Sequence, residues 1–298
     1  MSEYRELNDL FLRRIETPEG MQKVASGAQS FIRERLREVS FARQIMPPMY
    51  VTQVDLQSSV NHDGVVKMIE LEPESKAMLV NFRSKPTTNY IEGKRVELPF
   101  KAITSEEFAK TEEELLAYRM PITQVIEQNV VLDVQEVEDA AFMGQVDAAI
   151  AITGNNLDRD YANGKIPESS LRELFNLIDG KRLESEVLLM DRMTFNRIVV
   201  DNNTNNTFGE SGLKGEIAVN GFQHRSLFGR RIIVSNKVDL LKDKIYAFTA
   251  PEFLGEFNIL NDIKFDIEKR KNLITFSAYE SIGMIIANIN SCASITLS

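Results

Sequence analysis

The chain has 298 residues, of which 43% are hydrophobic and 27% charged, a composition typical of a globular protein with a substantial core. No apolar run reaches the roughly eighteen residues of a membrane span, and the charged amino terminus lacks the apolar segment of a secretory signal. The single cysteine, Cys292, excludes an internal disulfide bond and fits a reducing compartment.

The formal net charge of −9 is concentrated in one segment of the chain. Residues 104–150 contain eleven acidic and two basic residues, so this segment alone accounts for the net charge of the whole chain. An acidic protein is not expected to wrap nucleic acid in a basic groove. A shell around DNA needs no such groove, so this observation leaves a container function open.

Residues 1–46 are predicted to form a charged helical arm. Pro18 is a suitable first residue for the second of its helices, which ends at Met46-Pro47-Pro48. The charges of that helix alternate in sign, which is typical of a solvated or interface helix. Because such an arm has few partners in its own chain, we expect it to pack on another subunit.

Residues 51–100 alternate between apolar and polar side chains, which predicts an antiparallel ribbon. Its expected strands lie in the segments VTQVDLQSSV, VVKMIELEP and KAMLVNFRS, with a hairpin turn at Asp63-Gly64. An isolated ribbon is only marginally stable in water, so this one is expected to lie on a neighbour.

Two helices are predicted in the acidic segment. Thr104 and Glu107 match a capping box, which predicts a short helix that ends at Tyr118. Pro121 opens a long helix that ends at Gly154 and, at 1.5 Å per residue, measures roughly 45 Å.

Short elements follow in the second half of the chain. A helix is predicted from Pro167 to Gly180, then a buried strand at 186–190 and a short helix capped by Asp191. Residues 201–221 are rich in glycine and asparagine, which predicts a mobile loop or an irregular hairpin.

No residue set suited to catalysis or to a cofactor is present. The two histidines, His62 and His224, and Cys292 offer too few partners for a zinc site or a catalytic triad. The glycine patterns of phosphate-binding and dinucleotide-binding loops are absent, and the helical carboxylates lack the spacing of a calcium loop. We therefore predict no enzymatic activity, no metal and no cofactor.

The last third of the chain carries a resemblance to a known family. A short helix at 190–198 precedes the glycine-rich loop, and the tripeptide Leu227-Phe228-Gly229 leads into a strand that ends at Ser235. A strand at 245–248 and a closing strand pair follow. This order of elements resembles the carboxyl half of the major capsid proteins of tailed phages, which have the Hong Kong 97-like fold. In element order, the resemblance covers nearly the whole chain.

The resemblance implies an α+β, Hong Kong 97-like capsid fold with named parts. The expected parts are an amino-terminal arm (1–48), an extended β-ribbon loop (49–100), a peripheral domain with a long spine helix (101–155 and 263–280) and an axial domain (156–262 and 281–298). The loop at 201–221 is expected at the five- and six-fold capsomer axes, because glycine and asparagine tolerate two backbone geometries.

The resemblance also implies a function. The chain is expected to self-assemble into hexamers and pentamers of an icosahedral head that encloses double-stranded DNA, with only non-specific proximity to that DNA and no membrane. Assembly is expected in the host bacterial cytoplasm, and the product is a virion capsid. Because the sequence begins at Met1, scaffolding is expected from a separate protein, with a portal and a possible decoration protein as further partners.

Two alternatives remain open. An encapsulin-type bacterial nanocompartment shell shares the fold, but its arm usually contains tryptophan, and this chain has none. An α/β enzyme or binding module is disfavoured by the missing phosphate loop and the scarcity of histidine.

Charge predicts one set of interface contacts. The end of the arm is basic and the long helix is acidic, so we expect pairing within or between subunits. The predicted interface residues are Arg33, Arg35, Arg37 and Arg43 on the arm and Glu127, Asp133, Glu136 and Glu138 on the helix.

Some capsids of this family also carry a lysine–asparagine cross-link beside a buried glutamate. No motif in this chain selects one pair from its candidates, which are Lys67, Lys76, Lys85, Lys94, Asn288 and Asn290.

Overall fold

The computed structural model describes residues 40–58, 64–73, 77–85, 88, 90, 92–117, 122–159, 166, 168–200, 226–227, 229–235, 237–241 and 243–297. Most of the predicted arm, with Arg33, Arg35 and Arg37, therefore lies outside the described residues, as does the loop predicted at 201–221.

Helices and strands alternate irregularly along the described chain. The helices are α1 (Phe41–Ile45), α2 (Glu112–Ala117), α3 (Ile122–Thr153), α4 (Glu168–Asp179), α5 (Arg192–Val200), α6 (Val238–Leu241) and α7 (Pro251–Leu254). The strands are β1 (Met49–Tyr50), β2 (Leu56–Ser58), β3 (Val65–Leu71), β4 (Lys94–Pro99), β5 (Lys101–Thr104), β6 (Phe108–Thr111), β7 (Asn156–Arg159), β8 (Ser185–Asp191), β9 (Ser226–Leu227), β10 (Arg230–Ser235), β11 (Lys244–Thr249), β12 (Gly255–Arg270), β13 (Leu273–Ile286) and β14 (Cys292–Leu297).

A long antiparallel hairpin, β12–β13, is the centre of a five-stranded sheet. Its strand order is β1-β12-β13-β5, with β6 pairing farther along β13. The hairpin turns at Lys271, whose φ of 57° lies in the left-handed region. A six-stranded mixed sheet has the order β7-β14-β11-β8-β10-β9. The strands β2, β3 and β4 form the separate three-stranded ribbon.

The long helix α3 packs on the hairpin and contributes one face of the main core. Its apolar side chains recur at three- and four-residue steps, so Val130, Val134, Phe142 and Val146 all face inward and are buried. Phe142 packs against Phe248 of β11 with ring centroids 5.8 Å apart. Gln145 fixes the helix to the sheet edge, because its side-chain amide donates to the Met284 carbonyl at 2.8 Å.

A second core lies between α4 and the six-stranded sheet. The helix is strongly amphipathic, and Leu171, Leu174 and Ile178 are buried on one face. They pack with inward side chains of β8 and β14, including Leu188 and Ile295. Each fully buried side chain of this kind contributes about 1.5–3 kcal/mol to folding.

Locally encoded element ends are confirmed. The long helix begins at Ile122, directly after Pro121, and ends before Gly154, whose φ of 69° suits glycine. Asp191 caps α5, because its Oδ1 accepts from the backbone N–H groups of Met193 and Thr194 at 2.6 and 2.9 Å.

The helix predicted from Thr104 is wrong. Residues 101–104 form β5, which pairs with 279–282 of the hairpin, and residues 108–111 form β6. The capping box occurs later, at Thr111 and Glu114, whose side chains bond each other's backbone N–H groups at 3.2 and 3.1 Å. Pairing with β13 and burial of Ile103 outweighed the local pattern at 104–107.

The third strand predicted for the ribbon is also absent from the described chain. Residues 77–85 contain a turn and no strand, and β3 pairs with β2 and β4 instead. The apolar run Met78-Leu79-Val80 that suggested a strand is exposed. The alternation of apolar and polar residues in this segment therefore does not correspond to a strand among the described residues.

The two domain boundaries predicted in the hairpin face each other. The splits at 262/263 and 280/281 fall inside β12 and β13, so both strands run through the predicted peripheral and axial parts. The register shifts between Ile259 and Asn261 and again before Lys264, and these residues lie opposite 279–282. Such shifts mark a bulge or irregularity in β12, a feature that commonly bends a strand.

Candidate functional site

The structure brings two of the eight predicted interface residues together. Arg43 lies in α1 and Glu138 in the middle of α3, and both are buried. Arg33, Arg35 and Arg37 lie outside the described residues. Asp133 and Glu136 are exposed on α3, and of Glu127 only the helical backbone is described.

Arg43 binds two carboxylates from two different elements. Its Nε donates to Glu138 Oε1 and Oε2 at 3.0 and 3.1 Å, and its Nη2 donates to Glu280 Oε1 at 2.6 Å. Glu280 lies on β13, so one guanidinium joins α1, α3 and the hairpin. The Arg43 guanidinium also lies 5.6 Å from the centroid of the Phe257 ring.

A second set of contacts surrounds this ion pair. Ser40 Oγ lies 2.9 Å from both Glu138 Oε1 and Asp139 Oδ1, and the Ala42 N–H donates to Asp139 Oδ1 at 3.0 Å. Lys237 Nζ donates to Asp139 Oδ2 at 2.5 Å. We call Ser40, Arg43, Glu138, Asp139, Lys237 and Glu280 the arm-end cluster.

Burial dominates the electrostatics of the arm-end cluster. Burial raises the pKa of Glu280 to about 7, although the charge of Arg43 opposes this rise and that of Glu138 adds to it. Burial likewise raises the pKa of Glu138, against the opposing effect of Arg43. On the exposed face of the helix, burial and then the charges of Glu106 and Glu136 raise the pKa of Asp133.

The ribbon is attached to the body of its own chain at its base. Lys67 Nζ on β3 donates to Glu256 Oε2 at 2.6 Å and to Asn258 Oδ1 at 3.1 Å, both on β12. Leu98 of β4 is fully buried, and Val66 and Ile69 of β3 are almost completely buried. The base of the ribbon therefore packs on its own chain, and the expectation that the ribbon lies on a neighbour stays a prediction for the remainder.

The far part of the ribbon is exposed and apolar. Leu79 and Phe82 are as exposed as in an extended chain, at 104% and 112%, and Tyr90 is at 93%. Exposed apolar side chains in one short segment are typical of a protein interaction surface. We call the described residues between 77 and 90 the ribbon tip.

The cross-link candidates are not brought together among the described residues. Asn288 caps the turn Ile289–Ser291, where its Oδ1 accepts from the Asn290 N–H at 3.1 Å. Lys67 instead meets Glu256, and the two form an ion pair. Burial raises the pKa of Glu256, but hydrogen bonds from Lys67 and Asn258 outweigh it, so this pKa lies below its usual value.

Sequence reasoning missed Glu280, Asp139, Ser40 and Lys237. One signal was present: in the alternating run of β13, Glu280 occupies the inward register shared by Ile274, Phe276, Ala278 and Ile282. A carboxylate at an inward position requires a buried partner. The partner is 237 residues away in sequence, so the pattern alone does not identify it.

Catalytic and metal sites find no support in the described residues. No group of three or more metal-ligating side chains occurs there, and His62 and His224 lie outside them. Cys292 is buried, and burial raises the pKa of its thiol to about 11. Within the same described regions, every helix is too short or too polar to cross a membrane.

Comparison with known proteins gives a match at the level of structure. No family model and no curated protein matches the sequence. A structure from Microbacterium phage Oxtober96 superimposes with a TM-score of 0.66 at 12% identity, covering 87% of this chain and 91% of that chain.

Two further matches are capsids by their own description. The capsid structure of cyanophage P-SCSP1u gives a TM-score of 0.61 at 10% identity over 87% of this chain and 88% of that chain. The mature capsid of bacteriophage PhiM1 gives 0.58 at 7% identity over 87% of each chain. The chain therefore has the α+β, Hong Kong 97-like fold of phage capsid proteins, as its order of elements predicted.

Proposed function

We propose that this chain is the major capsid protein of a tailed double-stranded-DNA phage. It assembles into hexamers and pentamers of an icosahedral head. The observation that supports this proposal most directly is the match to phage capsid structures over 87% of the chain. A capsid subunit needs surfaces for its neighbours, and the described residues include two candidates, the ribbon tip and the exposed acidic face of α3 (Asp133 and Glu136).

The ribbon tip is proposed to contact a neighbouring subunit. Leu79, Phe82 and Tyr90 are exposed in the single chain, while the ribbon base is attached through Lys67 and Leu98. Their exposure leaves these side chains available to a neighbour while the base stays on its own chain. Burial of two such side chains in a neighbour contributes about 1.5–3 kcal/mol each before the entropic cost of association.

The acidic face of α3 is proposed to receive the basic arm. Asp133 and Glu136 are exposed. Burial raises the pKa of Asp133, and the negative charges of Glu106 and Glu136 add to this rise. Like charges repel, so a cation on this face relieves the repulsion. We propose that Arg33, Arg35 and Arg37, of the same or a neighbouring subunit, supply that cation, with Glu127 as a further acceptor.

We retain the four proposed parts of the chain, the arm (1–48), the ribbon (49–100), the peripheral domain (101–155 and 263–280) and the axial domain (156–262 and 281–298). In this proposal, the hairpin would pass from one domain to the other near the register shifts between Ile259 and Lys264. Two domains joined by continuous strands keep a fixed relative orientation more readily than two joined by a loop.

The remaining partners are proposals from the fold. The proposed partners are a separate scaffolding protein, a portal and a possible decoration protein, and assembly is proposed to take place in the host cytoplasm. Packaged DNA is expected to lie near the inner wall without specific contacts. An encapsulin-type shell is the competing proposal, and no contact in the described chain favours it.

Electron microscopy of the purified chain tests the proposal. We expect five- and six-membered rings or closed icosahedral shells, and co-expression with a candidate scaffolding protein should raise the yield of shells. A monodisperse monomer at every concentration, with and without such a protein, would contradict the capsid function. Shells that contain a cargo enzyme in place of nucleic acid would favour the nanocompartment alternative.

A further inference from the structure

The arm-end cluster carries an imbalance of buried charge. The side chains of Glu138, Asp139 and Glu280 are completely buried, while the two cations are Arg43, almost completely buried, and Lys237, about four-fifths buried. Lys237 pairs with Asp139, so Arg43 is left to neutralise both glutamates. If all three carboxyls are ionised, the cluster has one uncompensated negative charge, which is costly in a buried site.

Contacts within the arm-end cluster indicate which carboxyl carries the proton. Glu138 accepts two bonds from Arg43 Nε and lies against Ser40 Oγ, whereas Glu280 accepts one bond through Oε1. Among the described residues, Glu280 Oε2 and Arg43 Nη1 are the buried side-chain atoms without a hydrogen-bond partner. Glu280 is therefore the least stabilised as an anion.

Burial and the neighbouring acidic groups favour the neutral form of Glu280, and only Arg43 opposes it among the charged groups that act on it in the described chain. Arg43 from α1 is its cation, and Glu138 from α3 and Asp262 from β12 add negative charge. The paired strand β5 presents Ile103, which is apolar, directly opposite. Burial, with the charges of Glu138 and Asp262, outweighs Arg43 and raises the pKa of Glu280 to about 7, against 4.5 for a solvated glutamate.

We propose that Glu280 is a protonation-controlled latch, whose neutral form holds residues 40–46 against the long helix and the hairpin and whose ionised form loosens them. The latch belongs to the single chain and does not rest on the proposed capsid function. Because residues 40–46 lie at the end of the proposed arm (1–48), the latch sets how firmly this end is anchored to the body.

The direction of the pH effect follows from the raised pKa. Opening the segment exposes Glu280 to water, where it ionises more readily than in the closed state. The stabilisation is therefore fully present below about pH 4.5, decreases as the pH rises, and is lost above about pH 7. Residues 40–46 should open more readily at neutral and basic pH.

Amide hydrogen exchange in the wild-type chain measures this opening. The amides of Ala42 and Met46 are hydrogen-bonded to Asp139 Oδ1 and to the Ala42 carbonyl, so they exchange when the segment opens. After correction for the intrinsic effect of pH, their opening constant should rise roughly 20-fold between about pH 5.5 and 7.5. Amides of α4, in the second core, should rise much less.

Matched variants identify the group that titrates. Glu280→Gln cannot ionise, so the rise should disappear, whereas Glu268→Gln, at an exposed site on the same hairpin, should preserve it. If Glu138→Gln abolishes the rise and Glu280→Gln does not, the assignment to Glu280 is wrong. An unchanged opening constant in the wild type, or an equal rise in α4, overturns the latch even when Glu280→Gln does not fold.

Discussion

Gly283 of β13 lies directly beneath Leu98 of the ribbon. A Cβ atom at Gly283 would lie 3.2 Å from Leu98 Cγ and 3.0 Å from Phe100 Cδ1, closer than ordinary van der Waals contact. The absence of a side chain therefore allows the base of the ribbon to pack on the hairpin. This contact couples the direction of the ribbon to the position of β13.

Replacing Gly283 should displace the ribbon base. Gly283→Ala should have a small effect, since the Phe100 side chain can move by a few tenths of an ångström, while Gly283→Val should lower the free energy of unfolding by about 1–3 kcal/mol. Thermal or urea unfolding measures both variants.

A glycine-to-alanine control is available in the long helix. Gly144 is exposed in α3, and nothing lies near its hypothetical Cβ. Gly144→Ala should therefore raise the free energy of unfolding by about 0.5–1 kcal/mol. If Gly283→Val is as stable as wild type, the ribbon base does not depend on this close approach.

The ion pair between Lys67 and Glu256 should fix the base of the ribbon. Lys67→Met removes the cation and should cost about 1 kcal/mol of unfolding free energy at neutral pH, a modest value because both groups are partly exposed. The pKa of Glu256 is depressed, so the contribution is present above its unfolded pKa of about 4.5 and is lost as the pH falls. The difference between wild type and variant should therefore shrink in acid.

A second ion pair on the same ribbon serves as the control. Arg95 and Glu70 pair across β3 and β4 but are mostly exposed, so Arg95→Met should leave stability unchanged within error. A difference between wild type and Lys67→Met that is equal at pH 4 and pH 7 would mean that packing, and not charge, attaches the base.

How far the sequence predicts the fold depends on how local each signal is. Pro121, Gly154 and Asp191 mark helix ends through their own backbone or side-chain chemistry, and the structure has those ends. The capping pattern at Thr104 and Glu107 is of the same kind and fails, because β13 offers residues 101–104 a sheet partner 175 or more positions away. A pattern of neighbouring residues carries no information about a pairing partner so far away in the sequence.

The candidate site was also predicted only in part. The basic arm end and the acidic helix predicted that Arg43 and Glu138 belong to one interface. The two residues form a direct ion pair, although they are 95 positions apart in sequence. The burial of that pair was not foreseen, because it requires Glu280 and Phe257 from the hairpin. Exposed residues such as Asp133 and Glu136 were grouped with Glu138 by composition, although only Glu138 faces the core.

Polar substitutions at the ribbon tip should reduce assembly without changing the stability of the single chain. Leu79→Ser together with Phe82→Ser changes fully exposed side chains, so the unfolding free energy of the single chain should stay within about 0.5 kcal/mol of wild type. Loss of apolar contact with a neighbour should reduce the yield of rings and shells at least tenfold, as counted by electron microscopy and sedimentation.

A buried residue of the same ribbon provides the contrast. Leu98→Ala removes a completely buried side chain and should cost about 2–5 kcal/mol of stability in the single chain. Normal shells from the Leu79→Ser/Phe82→Ser variant would exclude the ribbon tip as an assembly surface.

Removing Arg43 should unfold the arm-end cluster. Arg43→Met leaves Glu138 and Glu280 buried without their cation, which should cost about 3–5 kcal/mol. The cost should be smaller in acid, where both carboxyls become neutral because their pKa values are raised. Urea unfolding at pH 5 and pH 8 measures this, and a cost that is larger at pH 5 would contradict the burial argument.

The arginines at 33, 35 and 37 should act in assembly and not in the folding of the single chain. Changing Arg33, Arg35 and Arg37 together to glutamine should leave the single chain stable, because the buried pair of Arg43 and Glu138 is preserved. It should weaken assembly at low salt, because the exposed carboxylates Asp133 and Glu136 lose their proposed partners. One exposed pair contributes only about 0–1 kcal/mol, but a shell repeats it in every subunit.

Salt separates this electrostatic effect from an effect of arm packing. The screening length falls to about 3 Å at 1 M salt, so wild-type assembly should weaken there toward the level of the triple variant. Asp133→Asn with Glu136→Gln, on the other side of the proposed contact, should reproduce the triple variant at low salt. If either set of changes leaves both the yield of shells and its salt dependence at wild-type values, the arm does not pair with the acidic face.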